Sequence, residues 1–380
     1  MSHPPHTAVL PLPAAQTHSL GERIATLHQQ VQRIAPAVSR MACALYEPSD
    51  DLLKTFINST LAGEPLQAYQ AKLTDSPSLQ ALAQARCVRV IPDLQQAGLH
   101  DNPHSRWLLG QGYRSSFTVP LFEGDQLLGF LFFDAHEPAA FPDALLAQLE
   151  VFSQLVALMI SHEVSAVRAL VGTMRVARDF AHLRDVETGG HLDRMARYAR
   201  LIARELAPRH GLSDEFTELL FLFAPLHDIG KIGVPDSLLR KPGRYTPEER
   251  QQMQAHVGLG EAMVERLIAD FGLGAVAGID ILRQLVAGHH EALDGSGYPR
   301  GLRGADVPMA ARIVTVADIF DALTSRRVYK PAFTLDDSLA TLDAMVAAGQ
   351  LDGDCVQALR TQQPEVEAIM RRFADAPGQD

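Results

Sequence analysis

The chain has 380 residues, a length typical of two domains, and its 47% hydrophobic residues are enough for ordinary packed cores. Its net charge of −11 argues against a large basic surface for DNA or RNA, so no nucleic-acid polymer is expected as a partner. The three cysteines, Cys43, Cys87 and Cys355, form no CxxC pair, which argues against a disulfide framework and is typical of a reducing cytoplasm.

The first part of the chain is predicted to be a tail followed by an α+β domain. Residues 1–16 are rich in Pro and His and are predicted to be disordered, without the basic and apolar regions of a secretory signal. Residues 17–140 mix helical and strand patterns, and the turn at 123–125 predicts a hairpin in an antiparallel sheet. The predicted helices are 20–34, 76–84 and 105–110, with Ser76 as a cap before Pro77, and the predicted strands are 41–46, 87–91, 115–122 and 126–134.

A long linker helix is predicted over residues 141–184. Apolar residues recur there in steps of three and four, from Leu145 to Met174, with a stutter around Ile160. This pattern is typical of a signalling helix or a short coiled coil between two copies, and a helix buried on its own domain is the alternative. The most apolar stretch, 151–160, is shorter than the roughly 20 residues that a membrane span needs, so we expect a soluble protein.

Residues 185–380 are predicted to form an all-α domain. One helix start is well marked, because Thr246, Pro247 and Glu249 spell a capping box with proline at the first helical position. The predicted helices are 190–208, 214–227, 247–269, 276–289, 308–325 and 335–348, with a short one near the end.

Histidines and carboxylates cluster in this second domain. Glu187 and His191 are four residues apart and share a helix face. His227 and Asp228 end an apolar helix, where a turn permitted by Gly230 lets both side chains converge. The other candidate ligands are His256 in the middle of a helix, the His289-His290 pair at a helix end, and Asp318, which its apolar neighbours predict to be buried.

These five imidazoles and three carboxylates predict a metal site. Imidazole and carboxylate without thiolate favour Mn, Fe or Zn over Mg or Ca. Eight ligands are more than one ion takes, so two or three ions are expected to share them through a bridging carboxylate, with Fe or Mn as the expected metals. Two neighbouring metal ions stabilise the attacking and leaving oxygens of an in-line displacement, which predicts phosphoester hydrolysis.

Longer motifs resemble one family. The sequence His227-Asp-Ile-Gly-Lys-Ile-Gly-Val-Pro-Asp236, followed by Lys241-Pro-Gly, resembles the core of the HD superfamily. The sequence His289-His-Glu-Ala-Leu-Asp-Gly-Ser-Gly-Tyr-Pro299 resembles the motif that names the HD-GYP family, and residues 311–325 and 327–330 are similar to that family's continuation. The resemblance covers about residues 180–365.

The HD-GYP resemblance implies a metal-dependent phosphodiesterase that hydrolyses cyclic-di-GMP to linear pGpG and often onward to GMP. It implies that Asp228 bridges the ions, that Lys231 stabilises charge at the scissile phosphate, and that a metal-bridging hydroxide attacks phosphorus. It also implies that Tyr298, Arg327 and Lys330 bind the ligand's phosphates and a guanine, while Glu187 favours a third metal. The implied metal ligands are Glu187, His191, His227, Asp228, His256, His289, His290 and Asp318.

The first domain resembles a GAF domain through residues 113–120 and the hairpin that leads into residues 127–133. This resemblance implies a sensory domain that controls the C-terminal enzyme, with an unidentified ligand; a pure dimerisation role is equally open. Candidate pocket residues, each also compatible with packing or a surface position, are Cys43, Cys87, His100, His104 and Trp107.

Together these observations predict a cytoplasmic cyclic-di-GMP phosphodiesterase that forms a homodimer through its linker helix. Two alternatives remain open. One is a catalytically slow cyclic-dinucleotide receptor that signals through a protein partner, and the other is an enzyme that cleaves a different cyclic dinucleotide.

Overall fold

The first domain is built on a six-stranded antiparallel sheet. The computed structural model describes residues 19–61, 64–97, 103–182, 189–272, 274, 278–325 and 332–373. The strand order is β3-β2-β1-β6-β5-β4, so the predicted hairpin β5–β6 lies beside β1. The strands are β1 (Val38–Glu47), β2 (Leu52–Thr60), β3 (Gln70–Lys72), β4 (Arg89–Ile91), β5 (Ser115–Glu123) and β6 (Gln126–Ala135), and the helices are α1 (Leu20–Ile34), α2 (Pro77–Ala85) and α3 (Pro103–Gly110).

Two strands were absent from the sequence prediction. The long strand β2 lacks a regular alternation of apolar and polar residues, because five consecutive residues in its first half are buried, Lys54 and Thr55 among them. Strand β3 has only three residues. The prediction that Ser76 caps α2 was half right: Ser76 occupies the cap position before Pro77, but its side chain makes no capping hydrogen bond.

The linker is one continuous helix, α4 (Asp143–His182). Leu149, Val156 and Ile160 face the core of the first domain, and Val167 and Leu170 belong to the core of the second domain. The helix therefore does bury one side on its own chain, as one of the two sequence interpretations proposed.

One stretch of α4, Asp143–Thr173, is long and apolar enough by length and composition to cross a membrane. The expectation of too short an apolar segment is therefore wrong for the helix as a whole. Core helices of soluble proteins pass the same test, and α4 contributes buried residues to both cores.

The second domain is helical throughout its described residues. The capping box at Thr246 and Glu249 is confirmed, and the predicted helices lie within a few residues of the observed ones. The helices are α5 (Gly189–His210), α6 (Asp214–Phe223), α7 (Asp236–Leu239), α8 (Pro247–Asp270), α9 (Ile279–Gly288), α10 (Met309–Thr324), α11 (Leu335–Ala347), α12 (Gly353–Thr361) and α13 (Gln363–Arg372).

Buried polar contacts join the two domains. Lys54 Nζ on β2 lies 3.2 Å from Glu218 Oε2 on α6, and both side chains are largely buried. Asp214 Oδ1 accepts a hydrogen bond from the backbone N–H of Ala68 at 2.8 Å. Glu215 accepts the backbone N–H groups of Leu20 and Gly21 at the start of α1. Helix α6 therefore contacts the sheet and α1 at one end and leads toward His227 at the other.

Candidate metal centre

Three buried imidazoles are held in one orientation by backbone carbonyls of the preceding turn. His227 Nδ1 lies 3.0 Å from Ala224 O, His256 Nδ1 lies 2.7 Å from Met253 O, and His289 Nδ1 lies 3.0 Å from Leu285 O. Because a carbonyl can only accept a hydrogen bond, each Nδ1 carries the proton. Each Nε2 therefore presents its lone pair toward the shared centre, which is the form that binds a metal.

The chain leaves regular helix geometry at His227 and Asp228, as the sequence predicted. Helix α6 passes into a 3-10 helix, Ala224–Leu226, and a second 3-10 helix begins after Asp228 at Ile229. The role assigned to Gly230 needs correction, because it lies within this second 3-10 helix and does not have a positive φ. A Cβ at Gly230 would lie 1.8 Å from His256 O, so glycine lets the 3-10 helix approach α8 and brings Asp228 close to His256.

Asp228 lies between two sets of ligands. Its Oδ1 is 3.1 Å from His256 Nε2 and 3.4 Å from His289 Nε2. Its Oδ2 is 3.2 Å from His227 Nε2 and 2.8 Å from Lys231 Nζ. The two carboxylate oxygens thus face different histidines, which is the arrangement a bridging ligand requires.

The described residues contain two groups whose ligand atoms converge closely enough to hold a metal ion. In the second group, Asp318 Oδ1 lies 3.6 Å from His191 Nε2 and 4.0 Å from His227 Nε2. Buried imidazole and carboxylate groups in this number need charge or proton compensation, and a divalent cation supplies it. The first group is Asp228, His256, His289 and His290; the second is His191, His227 and Asp318.

The electrostatics of the first group favour metal binding. Burial lowers the pKa of His289, and burial together with the adjacent His289 lowers the pKa of His290 to about 2. Burial alone would raise the pKa of Asp228, but Lys231 and His227 hold it well below its usual value. His289 and His290 are therefore neutral and Asp228 is ionised at physiological pH, which are the protonation states of metal ligands.

A residue that the sequence analysis did not single out positions His191. Asp321 is fully buried, and its Oδ2 lies 2.8 Å from His191 Nδ1. The same carboxylate accepts hydrogen bonds from Arg194 at 2.6 and 3.0 Å. The prediction that Asp318 is buried was wrong, because its side chain is 25% exposed and reaches the edge of the site. The spacing of three residues between Asp318 and Asp321, on one helix face, was the signal that could have identified the second carboxylate.

The loop after α9 forms one wall of the site. The rings of His290 and Tyr298 stack with centroids 4.6 Å apart. Glu291 is buried and accepts the backbone N–H groups of Arg300 and Leu302, which ties both ends of the loop together. Tyr298 therefore lies beside the metal ligands, with its ring held against one of them.

Three predicted site residues lie outside the described residues: Glu187, Arg327 and Lys330. The third metal and the two cationic ligand contacts therefore remain predictions.

Two family models match this chain, the GAF domain over residues 17–161 and the HD domain over residues 175–355. The chain combines a GAF domain with an HD domain. The match to the HD model includes every described residue of the two metal-ligand groups.

Curated relatives match roughly half of this chain. It is 42% identical over 203 residues to the cyclic di-GMP phosphodiesterase response regulator of Xanthomonas campestris, covering 53% of this chain and 50% of the relative. It is 39% identical over 199 residues to a probable cyclic di-GMP phosphodiesterase of Vibrio cholerae, with coverages of 51% and 45%. It is 40% identical over 173 residues to a 3'3'-cGAMP-specific phosphodiesterase of the same organism, with coverages of 46% and 35%. The chain thus spans about half the length of the curated relatives it matches, or less.

Proposed function

We propose that this GAF–HD protein is a metal-dependent phosphodiesterase that hydrolyses cyclic di-GMP to pGpG and onward to GMP. The observation that carries the proposal is Asp228, whose two oxygens face separate histidines within 3.2 Å and 3.1 Å. The relatives named as cyclic di-GMP phosphodiesterases support the substrate.

We assign the bound metals to divalent Fe or Mn, held by the two ligand groups and, for a third ion, by Glu187. Bound metals of this kind act as Lewis acids and supply hydroxide at neutral pH. The chain's own residues would hold the metals and orient the groups around them. Backbone carbonyls fix the imidazoles, Asp228 joins the two groups, and Lys231 Nζ, 2.8 Å from Asp228, places a positive charge where the phosphate's negative charge increases.

Substrate contacts are assigned to Tyr298, Arg327 and Lys330. The Tyr298 ring, stacked on His290, offers a flat surface for a guanine base. Guanidinium and ammonium groups at Arg327 and Lys330 suit the two phosphates of a cyclic dinucleotide.

The GAF domain is proposed to regulate this site, within a cytoplasmic homodimer. The apolar side chains of Val151, Leu155 and Leu158 on α4 are 58%, 44% and 68% exposed, and their spacing of four and three is that of a coiled-coil seam. A second copy of the chain would bury them. Light scattering tests this point: Leu155→Glu with Leu158→Glu is expected to yield a monomer from a dimeric parent, and a parent that is already monomeric contradicts it.

The catalytic proposal is tested on anaerobically purified full-length protein by elemental analysis paired with a product assay. We expect at least two metal ions per chain and conversion of cyclic di-GMP, and loss of both in the His227→Ala, Asp228→Ala double variant. His210→Ala is the matched control, because His210 pairs with Asp354 on the surface away from the site. Full hydrolysis and metal content in the double variant would contradict the proposal.

Substrate choice needs its own comparison, because three relatives are named for 3'3'-cGAMP. Cyclic di-GMP, 3'3'-cGAMP and cyclic di-AMP should be offered at equal concentration, and the proposal expects the largest kcat/KM for cyclic di-GMP. The alternative of a catalytically slow receptor is not favoured, because the relatives are named as phosphodiesterases. Saturating binding without single-turnover cleavage would nevertheless establish it.

A further inference from the structure

A cavity of about 700 Å³, counted with its solvent-open part, lies between one face of the GAF sheet and the segments that cover it. Ala44, Leu53 and Phe132 on the sheet form an apolar floor. Of the pocket residues suggested by sequence, His104 lines this cavity, and Cys43 borders it while its side chain packs in the core on the opposite face of the sheet. Trp107 lies next to the cavity, Cys87 is exposed, and His100 lies outside the described residues.

Two arginines and no carboxylate line the cavity. Arg40 is 1% exposed and pairs with the buried Asp134, which balances its charge. Arg89 has no ion pair with a carboxylate among the described residues; one of its terminal nitrogens lies 3.3 Å from Thr118 Oγ1. The Nε atoms of both arginines are buried and make no hydrogen bond to the described residues. Among the described residues, the two guanidinium groups thus share one nearby carboxylate, Asp134, which leaves one positive charge unbalanced.

The other titratable and aromatic side chains around the cavity do not neutralise this positive charge. Burial lowers the pKa of His104 to about 3, so its ring is neutral, and burial also lowers the pKa of Arg89. The His104 ring lies 5.9 Å from the Tyr69 ring and 5.4 Å from the Phe132 ring, which makes one side of the cavity aromatic. Arg89 is partly buried, and a partly buried cation without an ion pair is unfavourable, a cost that an anionic ligand removes.

We propose that this cavity binds a small organic monoanion, a carboxylate attached to a flat apolar body, through Arg89 and the Nε of Arg40. One unbalanced guanidinium matches one negative charge, whereas a phosphate monoester carries nearly two at neutral pH. The apolar floor and the aromatic side contact the body of the ligand, and Arg89 contacts its carboxylate. The serine hydroxyls of the lining, Ser76, Ser78 and Ser105, can donate further hydrogen bonds to it.

The chain has a built-in reporter for this site. Trp107 is its only tryptophan, and its ring lies 5.1 Å from the Arg40 guanidinium and 6.4 Å from the His104 ring. Benzoate, benzamide and benzylamine provide an anion, a neutral amide and a cation of nearly the same shape. Full-length protein should be titrated with each while Trp107 fluorescence and Tm are recorded, with phenyl phosphate as the more highly charged comparison.

Benzoate is expected to give a saturable change in fluorescence and a rise in Tm. It is also expected to bind about tenfold to a hundredfold more tightly than benzamide, because one charge-assisted hydrogen bond contributes about this factor. Arg89→Gln is expected to abolish this preference, and Arg89→Lys to retain part of it. Arg114→Gln is the matched control, because Arg114 lies in the same domain and pairs with Asp93 outside the cavity.

Three results would overturn the proposal that the cavity selects an anion through Arg89. They are equal affinity for benzoate and benzamide, unchanged benzoate binding in Arg89→Gln, and no saturable benzoate response at millimolar concentrations. If phenyl phosphate binds more tightly than benzoate, the monoanion assignment fails. Should Arg89→Gln not fold, the comparison of benzoate with benzamide on the parent protein still decides between the outcomes.

Discussion

Replacement of Asp321 by asparagine should weaken metal binding at the group that contains His191. The asparagine oxygen can still accept a hydrogen bond from Arg194, but its NH2 group then faces His191 Nδ1, where a carboxylate oxygen lies 2.8 Å away in the parent. His191 loses the acceptor that holds its proton on Nδ1 and its ring in place. Loss of such an outer partner lowers metal affinity by roughly 10–100-fold.

The same substitution also tests stability, because Asp321 is fully buried against the Arg194 guanidinium. Removing one partner of a buried ion pair costs about 3–5 kcal/mol, which corresponds to roughly 6–20 °C in Tm for a domain of this size. Asp321→Ala should approach that range, and Asp321→Asn should lie below it because a neutral acceptor remains.

Two measurements separate these effects. Thermal unfolding in excess EDTA reports stability without metal, and titration of the EDTA-treated full chain with Mn²⁺ reports affinity and stoichiometry. Asp343→Asn serves as the control, because Asp343 is exposed and pairs with Arg360. A variant with lowered Tm whose Mn²⁺ affinity stays within about twofold of the parent would show that Asp321 is structural and does not position His191 for a metal.

Two further predictions concern other contacts. Gly230→Ala should lose about 1–3 kcal/mol or more and much of its metal, because the new Cβ would meet His256 O at 1.8 Å; thermal unfolding and elemental analysis check this. Asp214→Asn should be more stable than the parent at neutral pH and similar to it at mildly acid pH, which thermal unfolding at both pH values measures. Burial raises the pKa of Asp214 to about 6, so the folded state holds this proton more tightly than the unfolded chain, and stability falls as pH rises from about 4 through about 6.

Gly230→Ala has a matched control. Gly258→Ala lies on α8 with open space around its new Cβ, and it should gain about 0.5–1 kcal/mol from helix propensity. Equal losses at Gly230 and Gly258 would contradict the steric argument. For Asp214, a difference from the parent that does not change with pH would show that the carboxyl does not titrate in this range.

Much of the fold was predictable because its signals are local. The capping box at Thr246 and the apolar periodicity of α4 depend on residues a few positions apart, and α4 and α8 lie close to their predicted bounds. The HD and GAF assignments rest on contiguous motifs, and the family models match those same regions. Strand β2 was not predictable in this way, because its buried Lys54 is explained only by Glu218 in the other domain.

Residue types and motifs alone predicted which side chains could bind metal: they singled out His191, His227, Asp228 and the other candidate ligands. Side-chain type and spacing along the chain are enough for that, since ligand chemistry depends on residue identity. The packing of the chain was needed to show which histidines each oxygen of Asp228 faces, that Asp321 contacts His191, and that Arg89 is a partly buried cation in the GAF cavity without an ion pair among the described residues. Those facts depend on distances between elements that are far apart in the chain. Tertiary packing determines these distances, and local sequence patterns do not encode them.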